Sequence, residues 1–121
     1  MINNLNSILP FLSDLAQNNN RSWFQENRER YDIARQAILD LTATLIAEIG
    51  QFDPQVRYLE PKECLFRIYR DTRFSLDKSP YKRHFGIYIA MNGGHRSLFS
   101  GYYIHLEPGN CMLSGGIWCA D

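Results

Sequence analysis

The spacing of apolar residues changes once along this 121-residue chain, near Pro61, and that change constrains the fold more than any other feature. Before Pro61 the spacing is helical. Ser7 is placed to cap a first helix in which Leu9, Leu12, Leu15 and Ala16 recur at helical intervals. Pro10 falls in its first turn, where a missing N–H leaves no helical bond unmade. Asn18-Asn19-Asn20 ends it, because asparagine tolerates the left-handed backbone of a C-terminal cap. A second helix is predicted from Ser22 to Ile49, ended by Gly50 and Pro54. Its inward stripe is Trp23, Phe24, Asn27, Tyr31, Ala34, Ile38, Leu41, Leu45 and Ile49, and its Arg35 joins a solvated face.

After Pro61 the period is two. Cys64, Phe66 and Ile68 alternate with Leu65, Arg67 and Tyr69; Phe85, Ile87, Ile89 and Met91 alternate with Gly86, Tyr88 and Ala90. Asn92-Gly93-Gly94-His95 signals a hairpin, since Asn and Gly accept positive φ. A strand over 97–107, a turn at Pro108-Gly109-Asn110 and a last strand reaching Trp118 complete the pattern. The expectation is one α+β domain over residues 1–121, with two N-terminal helices packed on an antiparallel meander of about four strands. The final strand would be an open edge, and edges are normally covered or paired. The domain is therefore expected to be incomplete, or to self-associate through that strand.

Charge is uneven. Residues 57–83 hold eight basic and four acidic side chains, net +4, in a chain that is neutral overall. Neutrality argues against broad adhesion to nucleic acid or to acidic membranes, which scales with the number of phosphates neutralised. A local anion site stays open. Arg67, Arg70, Arg73, Lys78 and Lys82 are its candidate ligands, since a guanidinium donates two parallel hydrogen bonds to phosphate or carboxylate. Tyr81 would orient the ligand. On an extended strand Arg67 and Arg70 face opposite ways, so convergence needs a bend after Asp71-Thr72. Ser79-Pro80 could open a helical turn whose N–H groups face the anion. The competing expectation is a structural network in which Asp71 and Asp77 pair with the arginines and pin a long loop.

On a strand, Tyr103, His105 and Glu107 share one face and form a candidate catalytic set of proton donors and acceptors. The competing expectation is a solvated or merely cross-linked face. His84, His95 and His105 show no HxH or HExxH spacing, so no metal and no cofactor are expected. Cys64, Cys111 and Cys119 form no CxxC pair and read as small hydrophobes of a reducing compartment. With no apolar run near the ~20 residues of a membrane span and no signal-peptide pattern at the N-terminus, the expected location is cytoplasmic.

Arg67-x-x-Arg70-Asp71-x-Arg73-Phe74-x-x-Asp77-Lys78-x-x-Tyr81 resembles the signature of a widespread bacterial family, domain of unknown function 2461. Asn18-Asn19-Asn20-Arg21-Ser22-Trp23-Phe24 with Tyr31 resembles its N-terminal segment. Gly101-Tyr102-Tyr103-x-His105-x-Glu107-Pro108-Gly109, followed by Gly115-Gly116, resembles its central one. The likeness spans essentially the whole chain and implies that the chain corresponds to the N-terminal half of longer members. It sharpens the site without naming a reaction. Three functions remain: a domain that binds, or acts on, a small anionic ligand; a module for single-stranded nucleic acid; or a structural or protein-interaction domain built around the Arg-Asp motif.

Overall fold

A computed structural model describes residues 5–91, 93–97 and 99–116. A 3₁₀ turn at Leu5–Ser7 leads into α1 (Ile8–Gln17), followed by α2 (Arg21–Glu26), α3 (Arg28–Ile49), a short α4 (Pro61–Cys64) and strands β1 (Phe85–Ile89), β2 (Gly101–Leu106) and β3 (Met112–Gly116). The fold is α+β, with three strands among the described residues rather than about four, in the antiparallel order β1-β2-β3. No helix of the described residues is long and apolar enough to cross a membrane.

The asparagines act through their side chains rather than through a left-handed backbone. Asn18 closes α1 at φ −131° and donates from Nδ2 to Asp14 O, while Asn20 accepts from Trp23 N and caps α2. The long helix expected from Ser22 is broken at Asn27, whose side chain donates to Trp23 O at 2.9 Å in competition with the helical pattern. The inward stripe of α3 also shifts by one position toward its end. Thr42 and Ile46 are buried where Leu41 and Leu45 were expected, and Thr42 satisfies its hydroxyl on Ile38 O.

Residues 65–69 form no named strand. They lie along β1 through isolated bridges, Leu65 to Ile87 and Tyr69 to Tyr81. Lying between that segment and β2, β1 is buried along its whole length. One sheet face carries Phe85, Ile87, Ile89 and Ile104 into the main core against α1 and α3; the other gathers Tyr88, Ala90 and Tyr103 in a smaller cluster with Phe66. β1 and β2 pair as the expected hairpin, but through a longer connection with a 3₁₀ turn at Gly94–Arg96; Asn92 lies outside the described residues. Gly94, at φ +54°, lies so close to the chain that a Cβ would meet Glu63 O at 2.6 Å. The turn at Pro108–Asn110 forms as expected, with Gly109 at φ +79°. The predicted end of the last strand, Trp118, lies outside the described residues, as does Cys119. Cys64 is buried, and burial pushes its thiol up to about 12, as suits an inert core residue; Cys111 is exposed.

Candidate functional site

Backbone pairing makes the arginine motif a closed loop. Arg70 N donates to Pro80 O at 2.9 Å and Lys82 N to Ile68 O at 2.7 Å, so residues 71–79 leave the sheet and return to it. Arg70 fills that loop. Its guanidinium donates to Ser79 O (2.9 Å), Asp77 O (3.2 Å) and Ser75 Oγ (3.4 Å), with an Asp77 carboxylate oxygen at 3.5 Å. Arg73 grips Asp71 through two nitrogens, at 3.0 and 2.9 Å, and this fork holds the Asp71 carboxyl down at about 2. Lys78 donates to Thr72 O at 2.5 Å. Asp77 accepts from the hydroxyl and N–H of Ser79, and those bonds lower its carboxyl. No helical turn opens at Ser79-Pro80, because Asp77 takes the Ser79 N–H that such a turn would present to an anion.

The far end of the loop is tied to the helices. Asn19 exchanges two hydrogen bonds with the Tyr81 backbone, 2.8 and 3.0 Å, across 62 residues of sequence. Phe24 stacks on the Tyr81 ring at 4.1 Å and 13°, an arrangement worth about 0.5–1.5 kcal/mol beyond its burial. Tyr81 is thus a buried anchor. At the loop's tip, Phe74 and Leu76 are fully exposed.

Arg67 separates from Arg70 as an extended segment requires. It lines a hollow of about 560 Å³ that also takes Arg35 from α3, Lys82 from the return of the loop and Arg96 from the β1–β2 connection. Tyr31, Phe66 and Tyr69 form aromatic walls. Among the described residues no carboxylate lines this hollow, and none of Arg35, Arg67, Lys82 and Arg96 makes an ion pair. Lys82 is half-buried with its Nζ 5.6 Å from the Phe66 ring centre; burial, then Arg67, lowers its pKa. A larger hollow of about 830 Å³ lies between the α1–α2 junction and the loop. Of its three cations, Arg21, Arg70 and Lys78, the last two are already committed to loop oxygens.

The strand register aligns the third constellation. Tyr103 lies across from Tyr88 and His105 across from Gly86, whose missing side chain leaves room: a Cβ there would meet the Tyr103 hydroxyl at 3.1 Å and Phe66 at 3.2 Å. The Tyr103 phenol, kept protonated by burial, donates to His105 Nδ1 at 2.8 Å. The proton is then on Nε2, which donates to Glu107 Oε1, also at 2.8 Å. His84 shares the sheet face of Gly86 and Tyr88, and its ring stacks on His105 at 4.3 Å. Burial first, then His105 and Lys82, pushes His84 down to about 4, so it is neutral at pH 7. His84 and Glu107 border a third hollow of about 280 Å³, into which Arg70, Lys82 and Arg83 also reach.

Sequence reasoning missed Arg35, Arg96 and His84. His84 was accessible in principle: it keeps the parity of Gly86 and Tyr88, and continuing the β1–β2 register sets it opposite Glu107. Arg35 lies one helical turn after Tyr31, on the face that Tyr31 already marks. Arg96 carried no signal, since its position depends on the Gly94 turn. No curated protein and no solved structure matches the chain. The model of the family described as Conserved hypothetical protein (DUF2461) does match, over residues 7–121, which takes in the Asn19 tie, the arginine loop and the Tyr103–Glu107 strand, and the chain belongs to that family.

Proposed function

We propose that this domain binds a small anionic ligand, bearing phosphate or carboxylate, in the hollow formed by Arg35, Arg67, Lys82 and Arg96. One observation supports it above the rest: four cations from four separate segments of the chain border one cavity whose described lining includes no carboxylate. Gathering like charges around one hollow, two of them on the half-buried Arg35 and Lys82, is unfavourable unless something opposes the repulsion, and an anion does so while using guanidinium donors that no described ion pair occupies. The aromatic walls suit a ligand with a flat or apolar portion beside its charge. Arg70, Arg73 and Lys78, the other sequence candidates, serve as a frame in this reading. Their donors are already held by Asp71, Asp77 and main-chain oxygens. The third hollow shares Lys82 with the first, which would place the Tyr103–His105–Glu107 array beside the ligand rather than under it.

Titration of the full chain with inorganic phosphate and sulfate, followed by calorimetry and by the side-chain NMR signals of Arg67 and Lys82, tests the reading. Saturable binding is expected, weakened about tenfold by Arg67→Ala, the loss of one charge-assisted pair. Arg73→Ala should leave it unchanged. No saturable response of either side chain would overturn the proposal. Tighter binding of a single-stranded oligonucleotide than of either ion, with a steep salt dependence, would move the assignment to nucleic acid.

A further inference from the structure

We propose that His84, His105 and Glu107 form a binding site for a divalent transition metal of the zinc class. One ligand atom from each lies within 4.8 Å of the other two, on half-buried side chains at the open end of the sheet. The absence of HxH or HExxH spacing does not count against it, because the grouping arises across strands rather than along one. His105 and Glu107 come from the end of β2 and His84 from the residue before β1, on the same sheet face.

The donor set is the right kind. Two imidazoles and a carboxylate are the ligands of open catalytic zinc sites, which leave a fourth position for water or substrate. His105 Nε2 and Glu107 Oε1 are already 2.8 Å apart, close to the roughly 3.3 Å between two ligand atoms about 2 Å from one tetrahedral metal. Entry of the metal needs the Nε2 lone pair, so the one imidazole proton of His105 moves from Nε2 to Nδ1 by exchange with solvent. Nδ1–H then donates to the Tyr103 oxygen, whose hydroxyl proton turns away, and Tyr103 becomes the outer partner that fixes the ring. His84 brings its ligand atom within 4.8 Å of the other two, from a ring stacked 4.3 Å from His105, so a reorientation of that ring would direct a nitrogen at the same point. Arg70, Lys82 and Arg83 border the same hollow and oppose a second positive charge; Asp77, also on its rim, offsets part of that field. The open coordination position would face those cations, so an anion bound to the metal would meet them as well. The hollow at this site shares Lys82 with the four-cation hollow, but none of the three proposed metal ligands lines the latter, so either proposal can fail without the other.

The full chain carrying Cys111→Ser and Cys119→Ser, which removes thiols that would capture metal, is titrated with zinc against a chromophoric competitor and with cobalt by visible absorption. One equivalent should bind, with the intense d–d bands of a site of low coordination number. His84→Ala and His105→Ala should each weaken binding at least tenfold, and Tyr103→Phe about tenfold through loss of the outer hydrogen bond. Imidazole NMR of the otherwise unaltered chain provides a readout that does not depend on the variants folding: zinc should move the His84 and His105 ring signals and leave His95 in place. Affinity unchanged in both histidine variants, or zinc shifts confined to His95, would overturn the proposal.

Discussion

Two basic regions that are neighbours in sequence have opposite electrostatic fates. In the 70–80 loop every motif cation is engaged by the chain: Arg70 by two carbonyls, a hydroxyl and Asp77, Arg73 by Asp71, and Lys78 by Thr72 O. In the hollow beside it no carboxylate is among the described lining residues, and Arg35, Arg67, Lys82 and Arg96 make no ion pair among the described residues, although Arg67 is near enough to help lower the Asp71 carboxyl. A motif can therefore be dense in arginine for two unrelated reasons. A buried guanidinium with five donors is a compact way to hold a loop that lacks regular backbone pairing. A guanidinium with no internal partner has donors to offer a ligand. Density alone does not separate the two cases.

The sharpest way to break this contrast is Arg70→Ala. The Arg70 side chain is 27 % exposed, and its loss leaves the Asp77 and Ser79 carbonyls and Ser75 Oγ without their shared donor. Hydrogen bonds to a charged group contribute about 1.5–3 kcal/mol, so the expected loss is about 2 kcal/mol, or roughly 6–12 °C in melting temperature for a domain of this size. Arg67→Ala should melt within about 1 °C of the parent, because no described ion pair is broken. Thermal unfolding followed by circular dichroism decides it. Equal shifts in the two variants would erase the distinction between frame and hollow.

The contrast also explains what the sequence disclosed. The switch from helical to alternating spacing at Pro61 was sufficient for the α+β class. Alternation alone put Tyr103, His105 and Glu107 on one face, where two hydrogen bonds now link them. Both outcomes follow from geometry repeated every two or 3.6 residues. The Asn27 break and the Asn19–Tyr81 tie were hidden because each depends on one side chain competing for, or reaching, a particular backbone group. The hollow was half hidden. Arg67 and Lys82 lie in the charged third of the chain, whereas Arg35 and Arg96 are brought to them only by packing of α3 and by the Gly94 turn. Convergence of distant segments leaves no periodic trace.

Acid and base should act on different sides of the comparison. Asp71 is held at about 2, so its pairing with Arg73 contributes above the ordinary carboxylate value and is lost only as pH falls through about 2. Lys82 has the opposite sense. Its folded pKa is lowered, so between that value and the ordinary lysine value the unfolded chain binds more protons at this residue, and the Lys82 contribution to stability rises with pH over that window, against the opposite trend of the buried Cys64 thiol and tyrosines. A bound anion would favour the ammonium form and raise the Lys82 pKa, so sulfate should flatten the alkaline rise and leave the acid limb alone. Stability curves against pH, with and without sulfate and in Lys82→Met, measure this. An alkaline limb that persists in Lys82→Met would remove Lys82 from the account.

The smallest expected effect is the most discriminating within the loop itself. Arg73 and Asp71 make the best-formed ion pair in the motif, yet their side chains are 76 % and 50 % exposed. Water screens the pair, and ordering two side chains at the surface offsets much of the attraction, so exposed pairs typically contribute about 0–1 kcal/mol. Arg73→Ala should therefore lower the melting temperature by no more than about 2 °C, and by less still in 1 M salt. Arg70→Ala should keep most of its larger cost in the same salt, because its partners are largely neutral carbonyls and a hydroxyl in a partly buried loop. Two arginines three residues apart would then differ severalfold in stabilisation for a reason visible in their partners: one closes a loop, and the other grips a neighbour in solvent. A melting-temperature loss on removing Arg73 as large as that of Arg70→Ala would mean that the exposed fork orders the loop as strongly as the partly buried one, and the frame would have to include both.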